Sequence, residues 1–144
     1  MSQGYEPSTR ETERILYAYP QLRAYAQVVE TQGSGSVVTL GEDDRRASDP
    51  VHQAVLKREI LTDVVRTVDC VLRALPQEEQ EIIERRYFLQ HPWEKVVRET
   101  FLSRATVFRR RDAAIPRFSK AFAILGPDKL RRFWDYFETL VRLP

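Results

Sequence analysis

Lys95, Ser103, Arg104, Ala105, Thr106, Arg109 and Arg110 have the types and spacing to hold a polyanion. A guanidinium is a planar fork of donors that matches the two major-groove acceptors of guanine. Serine, threonine, lysine and arginine all donate to phosphate oxygens. Arg109, with Ala105 and Arg104, is suited to base edges. Ser103, Thr106, Arg110 and Lys95 are suited to phosphates. Small residues at Ala105, Thr106 and Ala113 let a backbone come close to its ligand.

A helix must carry these groups. At about 100° per residue, Val107, Phe108, Ala114, Ile115 and Phe118 fall on one arc, and Ala105, Thr106, Arg109, Asp112 and Ala113 fall opposite. Arg104 and Arg110 sit on the flanks. The first arc should face a core and the second a ligand. Arg111 lies within the apolar arc. It is expected to snorkel, or to pair with an acid such as Glu81 or Glu84, rather than to contact a ligand.

Ser103 is a good N-cap for this helix. Before it, Trp93, Val96, Val97, Thr100 and Phe101 define a short helix, and Leu102-Ser103 a tight turn. Further upstream, Leu75-Pro76 ends one helix and opens another. Pro suits the first turn, and Glu78, Glu79 and Glu81 complement the positive end of the dipole. A short helix, a turn and a capped arginine-rich helix have the layout of a helix-turn-helix.

Leu75 to Phe118 resembles the fourth region of bacterial sigma-70-type factors, in Leu75-Pro76, Glu78, Glu79, Arg86-Tyr87, Ser103, Thr106-Val107, Ala114 and Phe118. From Arg10 to Phe118 the chain is similar to phage regulators of the ArpU and RinA type. Tyr19-Pro20, the Gly-containing link, Trp93, Val96-Val97 and Arg109-Arg110-Arg111 add to that match. The resemblance implies an activator of late packaging and lysis genes, acting on double-stranded DNA in the bacterial cytoplasm. Three positions depart from the pattern: Val97 stands where Ala is usual, Thr100 where Leu is, and Phe101 where the turn usually has Gly. They imply a remodelled turn, or a pocket that Phe101 fills. Phe108 replaces a polar contact residue of the sigma-like modules.

Net charge is only +2, but its distribution is uneven. Residues 81–120 hold ten Lys/Arg against five Asp/Glu, whereas residues 1–50 hold five against eight. The positive charge therefore gathers at the helix-turn-helix. Cys70, the only cysteine, excludes an intramolecular disulfide; among Val68, Val71 and Leu72 it is expected to be buried. Met1 to Pro7 is polar, unlike a signal peptide, and is expected to be loose. No run reaches the length of a membrane span. His52 and His91 stand far apart, with no ligands at metal spacing. There is no Gly-rich phosphate loop or nucleophile elbow, so neither an enzyme nor a cofactor is expected.

An all-α fold is expected. Residues 1–30 form an N-terminal helical segment, capped at Ser8 or Thr9 and interrupted at Pro20, where it kinks or restarts. The tyrosines Tyr17, Tyr19 and Tyr25 should pack. Residues 31–50 form a flexible linker: Gly33 to Ser36 punctuates it, Val37 to Leu40 allows a short strand, and Glu42 to Arg46 is a solvated charge run. Residues 51–74 form a long connecting helix whose Leu61, Val68 and Leu75 make a short heptad seam. That seam can receive the first helix, in cis or from a second subunit. Residues 75–125 form the helix-turn-helix domain, with Pro116 ending or bending its last helix. Residues 126–144 form a C-terminal amphipathic helix with Leu130, Phe133, Trp134, Phe137, Leu140 and Val141 on one face. Packing on the domain is the expected use of that face, with dimerisation or polymerase docking as alternatives.

The expected function is sequence-specific binding of double-stranded DNA to regulate transcription, as a homodimer or higher oligomer. The alternatives are a sigma-like adaptor that docks on RNA polymerase, and a small terminase-like packaging subunit. No membrane partner is expected.

Overall fold

A computed structural model describes residues 5–33 and 50–142. These form six α-helices, one π-helical turn and, among the described residues, no strand. The fold is all-α. The short strand expected at Val37 to Leu40 and the charge run at Glu42 to Arg46 lie outside the described residues.

Helix α1 (Thr9–Gly33) starts at a reciprocal cap. The Glu11 N–H donates to Ser8 Oγ at 3.1 Å, and the Ser8 N–H donates to Glu11 Oε1 at 3.0 Å. The segment before it is packed rather than loose from Tyr5 onward. Pro7 is buried, and the Tyr5 hydroxyl donates to Glu11 Oε1 at 2.6 Å. Pro20 lies inside α1 and does not divide it. Ile15, Leu16, Tyr19, Leu22 and Ala26 are buried on both sides of it, so a continuous apolar face outweighs the missing hydrogen bond.

Helix α2 (Pro50–Ala74) buries Ile60, Leu61, Val64, Val65, Val68 and Leu72. Its seam receives α1 from the same chain. The first turns of α2 are exposed, including Val51 and Val55. Cys70 is exposed, contrary to expectation, because the buried face passes through Val68 and Leu72 and leaves position 70 to solvent. Leu75 precedes Pro76, whose ring disfavours helical backbone at position 75 and ends α2.

Helix α3 (Gln77–Ile83) runs into a π-helical turn, Glu84–Phe88. The wide turn is closed by the Leu89 N–H, which donates to the Glu84 carbonyl at 2.9 Å. The π turn leaves Ile82, Ile83 and Tyr87 all fully buried. Gln90, in left-handed conformation, and Pro92 then lead into helix α4 (Trp93–Thr100). Phe101 to Ser103 connect it to helix α5 (Arg104–Ile124). Pro116 sits inside α5 without ending it, since Ala114, Ile115, Phe118 and Phe122 keep one buried face across it. Gly126, with φ 99°, makes the bend before helix α6 (Pro127–Arg142).

The main core joins α1, α2, the π turn, α5 and α6. At its centre the Thr12 and Ser119 hydroxyls are 2.6 Å apart and satisfy each other. The aromatic face of α6 is spent inward: Leu130, Phe133, Phe137 and Leu140 are buried. Lys129 to Asp63 at 2.6 Å and Arg14 to Glu138 at 3.3 Å lie along its borders. A second, small cluster of Ile82, Val96 and Val107 holds α3, α4 and α5 together, with Trp93, Val97 and Leu102 around it. Among the described residues no helix is long and apolar enough to cross a membrane.

Leu61 is fully buried in the α1–α2 seam, whereas Val28 is 54 % exposed. Leu61→Ala should cost about 2–5 kcal/mol, and Val28→Ala should stay within about 0.5 kcal/mol. Urea midpoints at unchanged m-value give the comparison; equal effects would contradict this packing.

Candidate nucleic-acid interface

The first turn of α5 is built around Ser103. Its φ of −70° and ψ of 157° place Oγ to accept from the Thr106 N–H at 3.1 Å. Thr106 Oγ1 accepts from the Ser103 hydroxyl at 2.9 Å and from the Arg109 guanidinium at 3.2 Å. Arg109 is therefore drawn back one turn, over the exposed start of the helix. Ala105, Arg109, Asp112 and Ala113 are exposed, as the helical arc requires. Val107, Ala114, Ile115 and Phe118 are buried on the opposite arc, and Phe108 is half-buried against Trp93, ring centroids 4.9 Å apart. Arg104 lies over the Phe108 ring, 5.1 Å from its centroid.

The expected site residues fall into two groups. Ser103, Arg104, Ala105, Thr106 and Arg109 share the start of α5, and Lys95 lies in the first turn of α4. Arg110 is engaged elsewhere, 2.8 Å from Glu78, where it ties α5 to α3. Sequence reasoning passed over Arg98, an exposed cation in the last turn of α4. The signal was its spacing of three residues from Lys95, which puts both on neighbouring turns of one helix. Lys95, Arg98, Arg104 and Arg109 have no carboxylate partner among the described residues. The first turn of α5 holds no acid. Arg104 thus adds positive charge at the positive end of the dipole, an arrangement an anion would relieve.

Phe101 is 92 % exposed and fills no pocket. Its φ of 61° retains the left-handed turn that a glycine there would adopt freely.

Arg111 turns inward as expected, but to different acids. Its Nη1 lies 3.5 Å from Glu13 and its Nε 2.7 Å from Asp112, rather than near Glu81 or Glu84. Glu13 enters because α1 packs across this side of α5, a tertiary contact that spacing along the chain does not reveal. The Arg111 guanidinium also sits 5.4 Å from the centroids of both Trp93 and Phe108. Tyr87, fully buried, donates to Glu13 Oε2 at 2.6 Å. Burial first, and then the Glu13 hydrogen bond and charge, hold the Tyr87 phenol well above its ordinary value of 10.0, with Arg111 partly opposing.

A separate open cleft of about 480 Å³ is lined by Tyr19, Arg23, Asp69, Arg73, Glu84 and Phe88, among others. It shares no residue with the basic face. No known protein family, curated protein or solved structure matches this chain.

The support beneath the basic face is pH-sensitive in the alkaline range. A phenol with a raised folded pKa contributes stability that is fully present below the unfolded value and is lost as pH rises through the folded one. Tyr5 and Tyr19, each pushed up to about 12 by burial and then by a hydrogen bond to Glu11 or Asp69, act in the same sense as Tyr87. The melting temperature should hold steady as these phenols approach pH 10 and fall above it. Tyr87→Phe should start lower and fall less steeply. Melting curves across that range check this; a parallel fall in both proteins would mean Tyr87 is not a contributor.

Proposed function

We propose that this chain is a sequence-specific double-stranded DNA-binding regulator of transcription. The observation that carries this reading is the set of cations Lys95, Arg98, Arg104 and Arg109. They stand on α4 and the first turns of α5 without carboxylate partners among the described residues, while Arg85, Arg110, Arg111 and Arg117 are paired. The start of α5 enters the major groove. Arg109 reads guanine, with Ala105 and Arg104 beside it. Ser103, Thr106 and Lys95 hold phosphates, and Arg110 joins them by exchanging Glu78 for a phosphate. Trp93, Val96, Val107, Ala114 and Phe118 keep the helices in register behind this face. The resemblance to ArpU- and RinA-type regulators extends the proposal to a phage or prophage activator of late genes in a bacterial host.

Selection from a random duplex library at one fixed salt concentration tests this directly. The wild type should enrich a defined motif. Arg109→Ala should blur one position of it and cost about 1–3 kcal/mol. Lys95→Ala should weaken all sequences alike and reduce the salt slope by about one. No enrichment, with core RNA polymerase captured instead, would replace this reading with that of a polymerase-docking adaptor.

A further inference from the structure

Phe101 is an aromatic residue in a conformation that suits glycine. It closes α4 at φ 61° and ψ 25°, with its side chain 92 % exposed. Left-handed backbone is costly for a residue that carries Cβ and free for glycine. The other positive-φ positions of the described chain hold polar Gln90 and Gly126. Phe101 therefore gives the fold neither burial nor an easy turn. It is the left-handed backbone, more than the exposure of a single ring, that points to a contact outside the chain.

Its surroundings define that contact. Arg98 precedes it by three residues, Ser103 follows by two and Arg104 by three. Two steps of about 3.8 Å keep its Cα within about 7.6 Å of that of Ser103. Thr100 and Leu102, on either side, carry no charge. The nearest acid in sequence, Glu99, is held by Arg85 at 2.6 Å. The partner must therefore be anionic and must offer an apolar spot beside its charge. In the chain this stretch directly precedes the Ser103 cap of α5. Duplex DNA fits both demands, since the thymine methyl is the apolar feature of the major-groove edge, close to the phosphates.

We propose that Phe101 is a DNA contact whose ring lies on a thymine methyl at the edge of the site read by α5. The proposal rests on the DNA-binding reading above, and it adds a base class read by an apolar side chain rather than by an arginine.

The test uses the full chain, the selected duplex, and the same duplex with thymines replaced one at a time by uracil, which lacks the methyl. Phe101→Gly should melt at the wild-type temperature or up to about 4 °C higher, because the turn relaxes. It should bind about tenfold more weakly. One thymine-to-uracil change should weaken the wild type several-fold and leave Phe101→Gly unaffected. Phe101→Asn, which tolerates left-handed backbone, should behave like the glycine variant. Equal affinity of Phe101→Gly and wild type would overturn the contact. So would a lower melting temperature in both variants, which would assign the ring to the fold. A uracil effect of the same size in wild type and Phe101→Gly would overturn the thymine assignment. Failure of the wild type to bind any duplex would instead overturn the DNA reading itself, and this contact with it.

Discussion

Two apolar clusters of unequal size have to be held in one register, and Tyr87 is the side chain that joins them. It belongs to the main core, yet its ring stacks edge-on against Trp93, 6.5 Å between centroids, at the border of the small cluster. Its other neighbour is Tyr17 of α1, at 4.8 Å. The small cluster alone, Ile82, Val96 and Val107, buries little to fix α4, whereas α5 is also held by Ala114, Ile115, Phe118 and Phe122 in the main core. The π turn matters for this reason. Across the turn Glu84–Phe88, Ile83 and Tyr87 are both buried, while Arg85 and Arg86 reach residues of α4. Arg85 reaches Glu99 at 2.6 Å, and Arg86 sits 4.7 Å from the Trp93 ring centroid. A hydroxyl bonded to Glu13 then ties the joint to α1.

From that joint an alternation of arginine and aromatic rings runs outward. Arg86 lies between Tyr17 and Trp93, Arg111 between Trp93 and Phe108, and Arg104 against Phe108. Each contact is worth about 0.5–2 kcal/mol by burial, so the series is a modest stabiliser. Its larger effect is geometric. Planar guanidinium groups on flat rings restrict several long side chains between the core and the start of α5. Net charge hides the consequence. Four arginines of the π turn and α5 are matched to acids: Arg85 to Glu99, Arg110 to Glu78, Arg111 to Glu13 and Asp112, and Arg117 to Glu79. Lys95, Arg98, Arg104 and Arg109, on α4 and the start of α5, are among the cations that have no carboxylate partner within the described residues.

The helices were legible because their signals are local. The Ser8 and Ser103 caps and the Leu75-Pro76 break each act within one turn, and all stand where the spacing places them. The buried arc of α5 was equally legible, since helical period alone assigns Val107, Ala114, Ile115 and Phe118. At Pro20 and Pro116 the alternative of a helix end was weighed without the burial that opposes it, and both helices run through. Cys70 and Arg111 misled for the converse reason. Their apolar neighbours in sequence say nothing of where α1 crosses, and α1 decides which acid Arg111 meets. The π turn left no readable sign, because a one-residue widening preserves helical composition and changes only which carbonyl accepts.

The number of available contacts constrains how such a face can work. On the proposed DNA reading, Arg109 and Arg104, with a few phosphate donors, would amount to a single half-site. At about 1–3 kcal/mol per base contact, they discriminate too weakly against a genome of competing sites. A reader of this size gains specificity by pairing with a second copy on spaced half-sites, or by binding beside another protein. The aromatic face of α6 was the obvious surface for such pairing in the sequence, but the fold uses it internally: Leu130, Phe133, Phe137 and Leu140 are already covered by the chain itself. Any additional partner would therefore meet a surface other than these four side chains, which bind α6 to the body that carries α5.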